Sequence, residues 1–93
     1  MDVLYDPHLL DRLRERQIPL DWPRDIIEHA DERYRDGVTR VCVALAKRWY
    51  KGEEREMAVS YVEEGADYRA ITIHPLQRHQ KQNRLRIGRW IKL

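Results

Sequence analysis

Two histidines and an arginine near the C-terminal end of the chain carry the side chains that acid–base chemistry on RNA requires. His74 ends a β-like segment just before Pro75, and Arg78 and His79 follow it. An imidazole with an ordinary pKa of about 6.5 can take or give a proton at neutral pH. RNA cleavage without a metal needs a base, an acid and a cation beside the phosphate. We predict His74 and His79 for the first two roles and Arg78 for the third. The alternative is that His74 is a partly buried strand residue and that His79 is a surface residue.

The C-terminal segment, residues 76–93, is strongly basic. Positions 78–93 carry six Lys or Arg and no acid, whereas positions 1–77 carry 12 Lys or Arg and 16 Asp or Glu. This gradient indicates either an anionic partner or pairing with the acidic body of the domain, and a solvated terminal element is a further alternative. Lys and Arg bind phosphates through charge-assisted hydrogen bonds, and a Trp ring can stack on a base. The predicted nucleic-acid-binding residues are Lys81, Arg84, Arg86, Arg89 and Trp90.

A second basic ridge is predicted near the N-terminus. His8, Arg12 and Arg16 are spaced four residues apart, so that they share one face of a helix. Such a ridge can bind phosphate. It can equally pair with Glu15, with acids of the next helix or with the edge of the sheet, as charges on surface helices usually do.

Several classes of function are not expected. Cys42 is the single cysteine, no His/Cys cluster has the spacing of metal ligands, and four isolated glycines make no phosphate-cradling loop. We therefore expect no metal and no cofactor. No apolar run reaches the ~18 residues of a membrane span, and the acidic N-terminal stretch does not have the pattern of a signal peptide. The chain is expected to be cytoplasmic.

The elements that would position these residues are readable from local patterns. Asp6 followed by Pro7 is typical of a helix start, and a second short helix is expected from Asp21, giving a helical pair over 6–30. Strand-like segments occur at 32–36, 41–50, 55–62 and 68–74, giving a sheet over 32–75. We predict one α+β domain over 1–93, in which two short N-terminal helices pack on one face of a three- to four-stranded antiparallel sheet, followed by the basic segment.

This order of elements resembles a known architecture. The basic ridge on the first helix, and the strands over 41–47, 54–61 and 71–75, resemble a small uncharacterised prokaryotic family. That family is similar in architecture to the BrnT and RelE/ParE-type toxins of bacterial toxin–antitoxin pairs. The resemblance covers 8–75. RelE-type toxins cut messenger RNA on the ribosome, so the resemblance implies RNA or the ribosome, and an antitoxin protein, as partners. It assigns a role to no individual residue, because a fold alone does not define a function.

Two functions are therefore expected. The first is a small toxin-like RNA-binding domain, with metal-independent ribonuclease activity as a further hypothesis. The alternative is a non-enzymatic protein-interaction module that docks a partner on a sheet edge or a helix face. The chain is expected to be a monomer, or a homodimer if an edge strand pairs with itself.

Overall fold

The computed structural model describes residues 2–93, so that only Met1 of the predicted domain lies outside it. Within them the chain forms three helices and six strands. In chain order these are β1 (Val3–Tyr5), α1 (Pro7–Arg16), α2 (Trp22–Glu28), β2 (Glu32–Asp36), β3 (Cys42–Tyr50), β4 (Glu53–Glu64), β5 (Asp67–Pro75), α3 (Gln80–Arg86) and β6 (Trp90–Lys92).

All six strands belong to one sheet in the order β1-β5-β4-β3-β2-β6. The sheet is mixed, because β1 runs parallel to β5 while the other neighbours are antiparallel. Helices α1 and α2 cover one face, here called the helix face, over an extended cluster of buried apolar side chains. Helix α3 lies on the opposite face, here called the α3 face, beside a smaller buried cluster that includes Tyr34, Leu45 and Trp90.

The predicted fold class is wrong in its strand number and its pairing. Strands β1 and β6 are three residues long, too short to show the alternation by which a strand is recognised in a sequence. They are strands because they pair with β5 and with β2, which are distant in the sequence. The basic segment, whose conformation the sequence leaves open, forms α3 and then an edge strand of the sheet.

Local signals did place α1 correctly. The Asp6 carboxylate accepts a hydrogen bond from the His8 N–H at 3.0 Å, and Pro7 takes the first helical position. Gln17 ends the helix in a left-handed conformation. Leu9 and Leu13 are buried in the core of the helix face.

A β-bulge in β5 decides which way the end of this strand faces. Tyr61 pairs with Ala70 and Ser60 pairs with Thr72, so that Ile71 has no partner in the register. Beyond the bulge, Ile73 belongs to the buried cluster of the helix face. Since side chains alternate along a strand, Thr72 and His74 lie toward the α3 face.

Candidate nucleic-acid interface

Two surface grooves meet at the end of β5. The first, the α1 groove, has a volume of about 630 Å³ and runs along the basic side of α1. The second, the α3 groove, has a volume of about 300 Å³ and lies between α3 and the sheet. Ile71, Thr72 and His74 line both of them. The predicted ridge residues His8, Arg12 and Arg16 line the α1 groove, and Arg84 and Arg89 line the α3 groove.

The short length of β1 brings α1 and β5 into contact. The pairing of β1 with β5 ends at Tyr5 and Ala70, while β5 continues to Pro75 with only β4 beside it. The Arg16 guanidinium reaches this uncovered edge and donates a hydrogen bond of 2.6 Å to the Ile73 carbonyl oxygen. A cation of the first helix is thereby fixed at the residue before His74.

His74 lies between two arginines. Burial, and then the positive charges of Arg16 and Arg84, lower the pKa of His74 below its ordinary value. The imidazole is therefore neutral at neutral pH and able to accept a proton. Thr72, on the same strand, and Ser60, its partner on β4, add hydroxyl groups to the lining of the α3 groove. The arrangement combines a proton acceptor, two guanidinium groups and neutral hydrogen-bonding groups.

The four predicted cations of the C-terminal segment differ in their availability. Arg84 has no acidic partner among residues 2–93, and its guanidinium carbon lies 6.0 Å from the centre of the Trp90 ring. Arg86 bonds to the Asn83 amide oxygen within α3, at 2.9 Å. Lys81 and Arg89 are paired with carboxylates of the sheet. Of the four, Arg84 is the cation that the structure leaves open to a ligand in the α3 groove.

Arg89 is neutralised by Asp36, the buried acid at the end of β2. The Arg89 Nε lies 3.1 Å from Asp36 Oδ2. Burial alone would raise the pKa of Asp36, but the backbone N–H groups of Thr39 and Val38, with the Arg89 guanidinium, lower it to about 2. Asp36 is therefore charged at neutral pH, and the pair joins the turn after β2 to the start of β6.

Trp90 was predicted to stack on a nucleic-acid base, but the structure buries it. It is 6% exposed, and its ring stacks on Tyr34 with the centroids 5.5 Å apart. A buried ring cannot stack on a nucleic-acid base. Its place under Arg84 makes it a support for that guanidinium instead.

Two of the predicted catalytic residues are separated from the third. Arg78 and His79 are exposed in the connection before α3, and neither lines the two grooves that contain His74. The partner that sequence reasoning missed for His74 is Arg16. Both residues were singled out separately, but the hydrogen bond that joins α1 to β5 links Arg16 with Ile73, 57 positions further along the chain. Nothing local in the sequence signals that contact.

Comparison with protein-family models, with curated proteins and with solved structures found no match for this chain. The resemblance to toxins therefore stays a prediction. No three His, Cys, Asp or Glu side chains of the described residues gather closely enough to hold a metal ion. Over residues 2–93, none of the helices is long and apolar enough to cross a membrane.

Proposed function

We propose that this chain is a small toxin-like domain that binds single-stranded RNA across the junction of the α1 and α3 grooves and cleaves it without a metal ion. The observation that carries the proposal is the position of His74, neutral and flanked by Arg16 and Arg84, where the two grooves meet. The target would be ribosome-associated messenger RNA in the cytoplasm, with an antitoxin protein covering the site.

The grooves supply what a flexible, charged strand needs. Arg12 and Arg16 in the α1 groove and Arg84 in the α3 groove have no acidic partner in the part of the chain that the structure describes. Guanidinium groups bind phosphates with two parallel hydrogen bonds. Hydroxyl groups of Ser60 and Thr72 can contact ribose or phosphate oxygens. Phosphates would thus be held on both sides of the imidazole.

The proposed reaction is an internal transesterification. His74 accepts the proton of a ribose 2′-OH, the 2′-oxygen bonds to the adjacent phosphorus, and the bond from phosphorus to the 5′-oxygen breaks. The leaving oxygen takes a proton from His8, the second imidazole that lines the α1 groove. Arg16 and Arg84 stabilise the charge on the pentacoordinate phosphorus. The products are a 2′,3′-cyclic phosphate and a 5′-hydroxyl end.

The binding step is tested with a fluorescent uridine oligonucleotide and anisotropy at several salt concentrations. Arg16→Ala and Arg84→Ala should each weaken binding about 10-fold and reduce the slope of log affinity against log salt by about 0.7. Arg86→Ala is the matched control, because Arg86 belongs to α3 but lines neither groove. Equal losses in all three variants would indicate attraction to net charge and would refute a site at His74.

The cleavage step is tested with the same oligonucleotide and with a version in which one ribose is replaced by deoxyribose. Cleavage should stop at the deoxyribose, leave a 2′,3′-cyclic phosphate elsewhere and be lost in His74→Ala. Expression of the parent chain in a bacterial host should arrest growth, and His74→Ala should relieve the arrest. RNA binding without cleavage would keep the binding site and remove the enzymatic part of the proposal.

A second function is favoured by one observation, an apolar groove of about 600 Å³ beside the outer edge of β1. It is lined by Leu4, Leu10 and Leu20, all of them exposed. Exposed apolar grooves beside an edge strand are typical of protein-docking sites. If the chain is an interaction module, Leu20→Asp should abolish binding to its protein partner, whereas Arg84→Ala should leave that binding unchanged.

A further inference from the structure

Helix α3 is attached to the domain differently from α1 and α2. None of its residues is buried. Leu85 is 39% exposed and Ile87, just after the helix, is 59% exposed, so that the apolar side chains of this segment contribute little to a core. Since burial of apolar surface is the main force that holds a helix on a sheet, α3 depends on other contacts.

Those contacts are made by two long cationic side chains. Lys81 Nζ lies 2.9 Å from a Glu32 carboxylate oxygen and 3.2 Å from one of Glu56. The Arg84 guanidinium lies over the Trp90 ring. The hydrogen bond from the Tyr34 hydroxyl, followed by that from Lys81, lowers the pKa of Glu32. The acid therefore stays charged at neutral pH and keeps its attraction for Lys81. We call the contacts of Lys81 with Glu32 and Glu56 the latch.

The segment that carries α3 is fixed at its two ends and turns sharply inside them. At one end Leu76 is buried, and its N–H donates to the Glu56 carbonyl oxygen at 2.8 Å. At the other end Trp90 is buried and paired with β2. Between these anchors, His79 has φ 65° and Gly88 has φ 77°, both in the left-handed region. A non-glycine residue in that region is strained, so that a change in the backbone conformation of His79 relieves strain.

From this geometry we propose that residues 80–87 form a cover over the α3 groove that lifts as a unit about His79 and Gly88 and is held closed by the latch. Gln80 and Arg84 of α3 line the groove, so that lifting the cover widens it and closing returns Arg84 to His74. The role of the cover in admitting a strand rests on the proposed function; the motion itself does not. Segments with few buried contacts are those that open locally, below the free energy of global unfolding.

Hydrogen exchange measured by mass spectrometry on the free protein tests the motion. Peptides covering 80–88 should exchange on the order of 100-fold faster than those of β3 and β4, because local opening needs less free energy than global unfolding. Lys81→Met, which keeps much of the apolar stem and removes the charge, should speed exchange over 80–88 by about another 10-fold and leave exchange in β3 and β4 unchanged. Lys81→Arg, which keeps the positive charge, should leave exchange over 80–88 as slow as in the parent protein. Arg86→Met is the control, because Arg86 belongs to the same helix but not to the latch.

Two results would overturn the cover. One is exchange over 80–88 at the rate of the strands, which would make α3 part of the cooperative core. The other is faster exchange over 80–88 and the strands alike in Lys81→Met, which would make Lys81 a contributor to global stability. RNA provides an independent readout, since Lys81→Met should raise both the association and the release rates of the uridine oligonucleotide. If no variant binds RNA but the exchange pattern holds, the cover stands and the RNA site fails.

Discussion

The two faces of the sheet are covered by different physical means. On the helix face, α1 and α2 bury a continuous apolar cluster that includes Leu9, Ile26 and Met57, each with no exposed surface. On the α3 face the buried cluster is smaller, and α3 is held by the Lys81 latch with no buried residue of its own. The attachment of α3 therefore depends on a charged side chain, whereas that of α1 and α2 depends on apolar burial.

This difference matches the distribution of candidate function. A well-packed face gives a rigid sheet, and β5 presents His74 from that rigid base. The groove wall opposite belongs to α3, which has no buried residue of its own. Binding sites need both parts, because the reacting groups must be fixed while the ligand must enter.

The largest expected loss of stability follows from a substitution in the core of the helix face. Ile26→Ala should lower the free energy of unfolding by about 2–5 kcal/mol, because it removes a fully buried side chain and leaves a cavity between α2 and the sheet. Leu85→Ala in α3 should cost no more than about 1 kcal/mol. Urea denaturation followed by circular dichroism measures both. Similar losses in the two variants would mean that the two faces are equally well packed, and the comparison would be wrong.

The next effect is on Asp36, at the turn after β2. Its pKa is lowered from 3.8 to about 2, so that its stabilising contribution is complete above about pH 4 and is lost as the pH falls toward 2. A shift of this size corresponds to about 2 kcal/mol. Asp36→Asn should lose about that much stability at pH 7, and its loss of stability between pH 4 and pH 2 should be smaller than that of the parent. Parallel acid profiles of the two proteins would contradict the assignment.

The parts of the fold that sequence reasoning predicted depend on local signals. The start of α1 follows from Asp6 and Pro7, and β3 follows from a continuous apolar run whose burial the structure bears out. What it missed depends on contacts between distant segments. Strands β1 and β6 exist because of their partners, and the bulge at Ile71, which sets the face on which His74 lies, is defined by the pairing of β5 with β4.

The candidate site divides in the same way. Residue type was enough to single out His74, Arg16 and Arg84, because few side chains can exchange protons or bind phosphate. Which of the cationic side chains is free to bind a ligand was not predictable, since this depends on which of them pairs with an acid in the folded chain. Lys81 and Arg89 are neutralised by acids of β2 and β4 that lie far away in the sequence. The basic charge of residues 76–93 therefore overstated the charge available to a ligand.

A smaller effect is expected from the titration of His74. Because its pKa is lowered in the folded protein, the unfolded chain binds a proton more readily. The contribution of His74 to stability is therefore complete above about pH 6.5 and is lost as the pH falls through the lowered pKa. When the pH is lowered from 7.5 to 5.5, the urea midpoint should fall more in the parent than in His74→Gln. The same drop in both would show that His74 is no more buried or repelled than a free imidazole.

The smallest effects on stability are expected for two arginines of α3, Arg84 and Arg86, which differ in whether they line the groove. Arg86→Ala should change the free energy of unfolding by less than about 0.5 kcal/mol, because Arg86 is exposed and bonds to Asn83 of its own helix. Arg84→Ala should change stability only slightly more, since a cation over an aromatic ring contributes about 0.5–1 kcal/mol at an accessible site. Yet the two should separate in RNA affinity, because Arg84 lines the groove and Arg86 does not. Near-equal stabilities with unequal affinities would place the RNA contact at one position of α3, whereas equal affinities would reduce α3 to a source of unspecific positive charge.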